Sequence, residues 1–313
     1  MTAEISFTYG DLRIDKLVKE FYQSILEKCS VCIRAIAGSR CKEIAFHRLL
    51  KNPKFSKENM LQQAVIQSQS ITKCSKHILC IQDTTEIAFD KGPCKSARGL
   101  GILGTKFHRG LLLHPGLLVD ANDFSILGIS DLVVWTRDEK LKGSVGETKS
   151  QERDRNRFTP IEEKESMKWL DVAENTKSRF SHVDQITIIA DRESDIYEEW
   201  ERIPSKKVNL ITRCSQNRNL VGNKKLFDKL EEEPKNFCYT IELPEINGKR
   251  KKRIAQIEVS YTQVEILKPL KHYDKKAKKS IKLNAILVKE VTKEIPEEER
   301  IAWRLLTTHV SSQ

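Results

Sequence analysis

The chain has 313 residues, with 55 Lys and Arg against 44 Asp and Glu and a formal net charge of +11, long enough for two domains or one large elaborated one. No apolar run approaches the ~20 residues of a membrane span, and Met1-Thr2-Ala3-Glu4 lacks the basic region and apolar core of a secretory leader, so a cytoplasmic protein without a membrane partner is expected. The eight cysteines are scattered, several within apolar runs, which favours reduced thiols over a disulfide frame; Cys29-Ser30-Val31-Cys32 has half a zinc-site spacing and no second pair at a matching interval.

Residues 11–30 carry the stripe Ile14, Leu17, Val18, Phe21, Tyr22 and Ile25, which predicts an amphipathic helix. A second helix is predicted from Arg40 to Lys51, stopped by Asn52-Pro53. Ser56 caps a third that carries Met60, Leu61, Val65 and Ile66. Residues 1–75 hold 12 basic and 7 acidic residues. Three short helices with a basic excess suit a DNA-binding unit, and equally a bundle that only packs on the rest of the chain.

From Lys76 the pattern changes to strands: one ending at Asp83, then Leu111–Asp120 and Phe124–Trp135. A helix near Pro160–Asn175 precedes a strand ending at Asp191; Ile196–Arg202 reads as a helix and Val208–Arg213 as a strand. This alternation is an α/β pattern consistent with a ribonuclease-H-like sheet, in which the first and fourth strands lie side by side. Residues 216–300 instead show short alternating runs (Cys238–Leu243, Ile254–Tyr261, Ile281–Lys289) and turns such as Asn247-Gly248, a β-rich insertion. Residues 249–282 hold 12 basic and 3 acidic residues. The run Lys249, Arg250, Lys251, Lys252 and Arg253 fits phosphate-backbone contact without sequence specificity, and also a solvated hairpin tip.

Gly99-Leu100-Gly101-Ile102-Leu103-Gly104 matches G-x-G-x-x-G, but a loop precedes it and His114-Pro115-Gly116 follows soon after, so the strand and helix of a dinucleotide site are lacking. With Lys106, His108 and Arg109 beside it, a mobile substrate-facing loop is the better expectation.

Two apolar, β-branched runs each end on an aspartate. Ile78-Leu79-Cys80-Ile81-Gln82-Asp83 is followed by Thr84-Thr85-Glu86, and Ile186-Thr187-Ile188-Ile189-Ala190-Asp191 by Arg192-Glu193-Ser194-Asp195. A carboxylate ending a buried strand sits at a sheet rim, rigidly held and partly desolvated. Two on neighbouring strands can share divalent ions ~4 Å apart, the arrangement that clamps a phosphoryl group during in-line displacement. Capping of the following turn also explains each one singly. Arg213 ends its strand beside this pair and suits phosphate neutralisation, a surface ion pair being the plainer role. Lys164 and Lys168, one turn apart on the preceding helix, read as helix-surface pairs with Glu163 and Glu165.

These blocks, with Glu163-Lys164-Glu165-Ser166-Met167-Lys168-Trp169-Leu170, Gly110-Leu111-Leu112-Leu113-His114, Leu283-Asn284-Ala285-Ile286-Leu287 and Trp303-Arg304-Leu305-Leu306-Thr307, resemble the DDE transposases of bacterial insertion sequences, specifically the Tn-five-like group of the IS-four family. The likeness is colinear over nearly the whole chain. It implies an α/β fold: a small all-α DNA-binding domain over 1–75, a ribonuclease-H-like catalytic core over 76–215, a β-rich insertion over 216–300 and a last core strand in 301–313. It implies cut-and-paste transposition: metal-dependent cleavage of double-stranded DNA at transposon ends, then strand transfer to target DNA. Asp83 and Asp191 would be the catalytic, metal-binding aspartates for two Mg²⁺ ions, with Mn²⁺ able to substitute. Arg213 would contact DNA near the cleavage site. A homodimer on DNA is left open.

The family's third catalytic residue is a glutamate in a helix after the strand resembling Trp303–Thr307, a helix that also carries a tyrosine, an arginine and a lysine. Residues up to Gln313 hold no such segment; Glu297, Glu298 and Glu299 precede the strand, and Glu193 and Asp195 follow Asp191 too closely. The third carboxylate is therefore expected to be missing from these residues, and residues 1–313 to be an inactive fragment. The alternative function is a non-catalytic DNA-binding remnant of a degraded insertion element. A ribonuclease-H-like nuclease outside transposition fits less of the chain.

Overall fold

The computed structural model describes residues 8–89, 99–104, 108–137, 155, 158–248, 250–270 and 272–310. Helix α1 (Leu12–Lys28) starts where the Asp11 carboxylate accepts from the Arg13 N–H, and it buries Val18 and Phe21. Helix α2 (Ile33–Ala37), too short to show a periodicity, was not anticipated; α3 (Arg40–Leu50) follows, with Ser39 as its cap. These helices close their own apolar cluster around Phe21, Phe46 and Phe55, the Phe21 and Phe46 rings lying edge to face at 5.0 Å.

Helix α4 (Lys57–Ile71), capped by Ser56, partly belongs elsewhere. Its Val65 enters the main core, and its Ser68 hydroxyl accepts the Ile129 N–H at 3.0 Å. That approach requires glycine at 128: a Cβ there would lie 2.2 Å from Ser68 Oγ, and its φ is +126°.

Among the described residues, eleven strands form one mixed sheet: β1 (His77–Gln82), β2 (Thr85–Ala88), β3 (Gly101–Ile102), β4 (Arg109–Asp120), β5 (Ile126–Trp135), β6 (Gln185–Ala190), β7 (Val208–Arg213), β8 (Phe237–Leu243), β9 (Arg253–Leu267), β10 (Ser280–Glu290) and β11 (Ala302–Thr307). The order is β2-β4-β1-β6-β7-β11-β10-β9-β8, with β3 and β5 also paired to β4. Strands β1, β6 and β7 run parallel to their neighbours in this trio, and β4 and β11 flank it antiparallel. Helix α5 (Met167–Arg179) covers one face, burying Ala173 in the cluster of Ile78, Cys80, Ile186 and Ile188. Helices α6 (Tyr197–Arg202) and α7 (Leu226–Glu232) add Trp200, Leu226 and Leu230 to it. The strands of 216–300 form no sheet of their own, because β11 pairs with both β7 and β10 and joins them to the same sheet.

Two further expectations change. The glycine-rich segment, as far as it is described, pairs as β3 with β4 and buries Leu103, while Lys106 lies outside the described residues. Lys164 precedes α5 rather than lying on it, because a short 3-10 turn occupies Ile161–Glu163. Among the described residues, no helix is long and apolar enough to cross a membrane.

Candidate active site at the ends of β1 and β6

Strands β1 and β6 pair from His77↔Gln185 to Ile81↔Ile189. Two residues further on, the same register sets Asp83 level with Asp191. On the other side of β6, Ala190 pairs with Thr212, so Arg213 comes next along the same rim. The structure thus brings together Asp83, Asp191 and Arg213, three residues from distant parts of the chain.

The break in the strand at Asp83 has a local cause. β1 and β2 face β4 in one continuous register, Gln82 opposite Gly116 and Thr85 opposite Leu113. Asp83 therefore falls opposite Pro115, which has no N–H to donate, and the ladder opens there. Asp83 is exposed, and its Oδ1 accepts the Thr84 N–H at 2.8 Å. Asp191 is also exposed and caps the turn after it, its Oδ1 accepting the Glu193 N–H at 2.9 Å. The expected partial desolvation is absent, since each residue lies just past the last ladder pair and the helix cover stops short of it. The second oxygen of each carboxylate accepts no hydrogen bond from a described residue.

His114, fully buried, lies opposite Thr84. Its Nε2 lies 3.0 Å from Gln82 Oε1 and its Nδ1 3.0 Å from Thr84 Oγ1, one ring nitrogen donating and the other accepting according to the tautomer, and the ring also bonds the Asp83 backbone. Its ring packs edge to face on Trp169 at 4.3 Å. Burial, reinforced by the Lys168 ammonium, holds its pKa down at about 4, so the ring is neutral at physiological pH. Lys168 is itself buried: its Nζ lies 3.4 Å from Glu193 Oε2, 3.6 Å from Glu165 Oε1 and 4.9 Å over the Trp135 ring. Arg137 grips Glu165 through Nε at 2.7 Å and approaches Glu86 at 3.7 Å. Glu86, Arg137, Glu165, Lys168 and Glu193 form a row of alternating charge beside the aspartates.

Arg213 stands 5.6 Å over the Trp303 ring. Burial and the neighbouring Arg192 pull its pKa down while Asp191 opposes them, which places its guanidinium within the field of the site.

The basic run at the β8–β9 turn behaves less uniformly than its composition suggests. Following the pairing from β7 through β11, β10 and β9 puts this turn at the same end of the sheet as Asp191, four strands from β6 (roughly 19 Å sideways at the usual strand spacing) and, since Tyr261 is the β9 residue level with Arg213, roughly 30 Å farther along the strands. Lys249 lies outside the described residues. Arg250 and Lys251 stand at the turn; Arg250 Nε donates to Pro244 O at 3.2 Å, and Lys252 pairs with Glu242. Arg253 points inward. Its guanidinium binds both oxygens of Glu290 at 2.9 and 2.8 Å, and the Glu290 carboxylate is wholly buried. It is engaged within the fold by this pair.

Divalent ions such as Mg²⁺ need hard oxygen donors. The exposed oxygens of Asp83 and Asp191 are of that kind and come from adjacent parallel strands. Among the described residues, no group of three or more His, Cys, Asp or Glu side chains is disposed to hold a metal ion. The pair fits part of such a shell.

Sequence reasoning missed His114 and the burial of Lys168. The His-Pro step inside an otherwise apolar strand was the available signal for the first. For Lys168 there was none beyond its place beside Trp169.

No protein-family model matches the chain. Among solved structures it is similar to piggyBac transposase in the cryo-EM structure of a synaptic complex with hairpin DNA, at 10% sequence identity and a TM-score of 0.35, over 99% of this chain and 49% of that one. The chain spans about half the length of that protein.

Proposed function

We propose that this chain is a DDE-type DNA transposase of the Tn-five-like kind, built on a ribonuclease-H-like core. The observation that carries this reading is the parallel pairing of β1 with β6, which sets Asp83 level with Asp191 where both strands end and Arg213 next along the rim.

The roles follow from the chemistry of the side chains. Asp83 and Asp191 would hold divalent ions through their exposed oxygens. Bound Mg²⁺ or Mn²⁺ would supply Lewis-acid stabilisation of the attacking and leaving oxygens of a phosphodiester. Arg213, stacked on Trp303, would neutralise a phosphate as it approaches the rim. Arg250, Lys251 and Lys252 at the same end of the sheet would extend a cationic track for the DNA backbone, adding affinity without reading sequence. The helical unit of residues 1–75 would bind transposon ends, and a cytoplasmic location follows from the same reading.

Two carboxylates form an incomplete octahedral shell, so ions would be held loosely and positioned badly. The 313 residues would therefore bind DNA and cleave it poorly or not at all, which is also how a remnant of a degraded element would behave.

The test is calorimetric titration of the chain with Mn²⁺, alone and after Asp83→Asn or Asp191→Asn, alongside cleavage of a terminal DNA sequence. Weak Mn²⁺ binding lost in both variants supports the reading. Binding indifferent to both removes the site, and robust cleavage abolished by Asp83→Ala would reveal a third acid within these residues.

A further inference from the structure

We propose that His114 is the positioning residue of the candidate site: one imidazole grips the residues on both sides of Asp83 and so aims its carboxylate outward. The inference rests on the reading of Asp83 as a metal ligand and deepens it.

The argument begins with the gap in the ladder. Pro115 opposite Asp83 withdraws a backbone hydrogen bond where the chain needs its shape held. The neighbouring side chain on β4 supplies the substitute: His114 Nε2 bonds Gln82 and His114 Nδ1 bonds Thr84, each at 3.0 Å. Successive side chains of an extended chain point to opposite faces. Anchoring residues 82 and 84 to the helix-covered face therefore directs residue 83 away from it. The burial pattern agrees: Gln82 is buried, Thr84 half-buried and Asp83 exposed.

Two features mark the arrangement as maintained at a cost. The Gln82 side-chain nitrogen is buried without a hydrogen-bond partner, a penalty that an apolar residue there would avoid. A polar imidazole is also kept fully buried against Trp169, where an aromatic hydrocarbon of similar size would pack without polar demands. Both are accounted for if the contact to Asp83's neighbours is what matters. His114 needs no proton transfer and no contact with substrate to act this way.

The experiment uses the 313-residue chain with Thr84→Val, Thr84→Ser, His114→Phe and Asp83→Asn. Hydrogen exchange of the Thr84 amide, which Asp83 Oδ1 accepts, reads the local order directly. Mn²⁺ titration reads the carboxylate. Thr84→Val keeps the side-chain shape and removes the hydroxyl; it should speed exchange at residue 84 and weaken Mn²⁺ about 10-fold, the low end of losses from outer-shell partners of metal ligands. Thr84→Ser, which keeps the hydroxyl, should match the parent in both. DNA affinity should be unchanged in the two Thr84 variants and the thermal midpoint unchanged in Thr84→Ser, while Thr84→Val, which leaves the buried His114 Nδ1 without this partner, should lower the midpoint by a few degrees at most. His114→Phe should reproduce Thr84→Val if it folds, and the Thr84 pair decides the question if it does not.

Parent-like exchange and Mn²⁺ affinity in Thr84→Val would overturn the inference. If Asp83→Asn leaves Mn²⁺ binding intact, the metal reading fails by itself, and the exchange result still judges the role of His114.

Discussion

Glu199 offers the sharpest test of how the region behind the site is built. It lies on α6, wholly buried, where Oε2 accepts from the Ser194 hydroxyl and Oε1 has no partner. Burial raises its pKa from 4.5 to about 8, the Ser194 hydrogen bond opposing and the Asp195 charge adding to the rise. The folded protein therefore keeps this carboxyl protonated at pH 7, while the unfolded chain ionises it. With more protons bound in the native state between about pH 4.5 and 8, stability falls as pH rises through that window. At 1.36 kcal/mol per pH unit, the loss relative to pH 4 is about 3 kcal/mol at pH 7 and levels off near 5 kcal/mol above pH 8. Glu199→Gln keeps the shape and an acceptor for Ser194 and removes the titration. In urea denaturation at pH 5, 6, 7 and 8, the variant should match the parent within about 1 kcal/mol at pH 5 and exceed it by several kcal/mol at pH 8. Stability curves that stay parallel across the range would show that Glu199 is ionised in the native state and refute the reasoning.

The remaining expectations concern charges and the site. Asp195 and Arg218 form a buried ion pair at 2.6 Å, Asp195 also accepting from the Ser215 and Gln216 amides; Arg218→Ala leaves that carboxylate uncompensated and should cost about 3–5 kcal/mol in denaturation. Arg253→Ala should destabilise by a similar amount, about 3–5 kcal/mol, by stranding Glu290, whereas neutralising Arg250, Lys251 and Lys252 together should leave the thermal midpoint unchanged. In a mobility-shift series over salt, the triple variant should bind cognate and random DNA equally more weakly with a flatter salt slope; unchanged binding would assign the turn to solvent alone. A fragment starting near Lys76 should lose specific end binding, and undiminished specificity there would refute the role of the helical unit.

What the sequence determined by itself were the elements whose physics is local. Val208–Arg213 and the strands before Asp83 and Asp191 were legible because short β-branched runs bounded by polar residues have few other homes. Ser56 marked a helix start through a side-chain oxygen that meets a backbone N–H group three residues on. What only the tertiary structure decided were relations across the chain. The Thr84–His114 and Lys168–Glu193 contacts join residues on different elements. That Pro115 stands opposite Asp83 depends on the β1–β4 register, which no local periodicity encodes. Arg253 shows the same limit from the other side: its run of basic neighbours predicts an exposed cation, and a buried glutamate arriving on β10 turns it inward. Composition reports how much charge a segment carries, but the partner that neutralises it is chosen by strand pairing, after the chain has closed on itself.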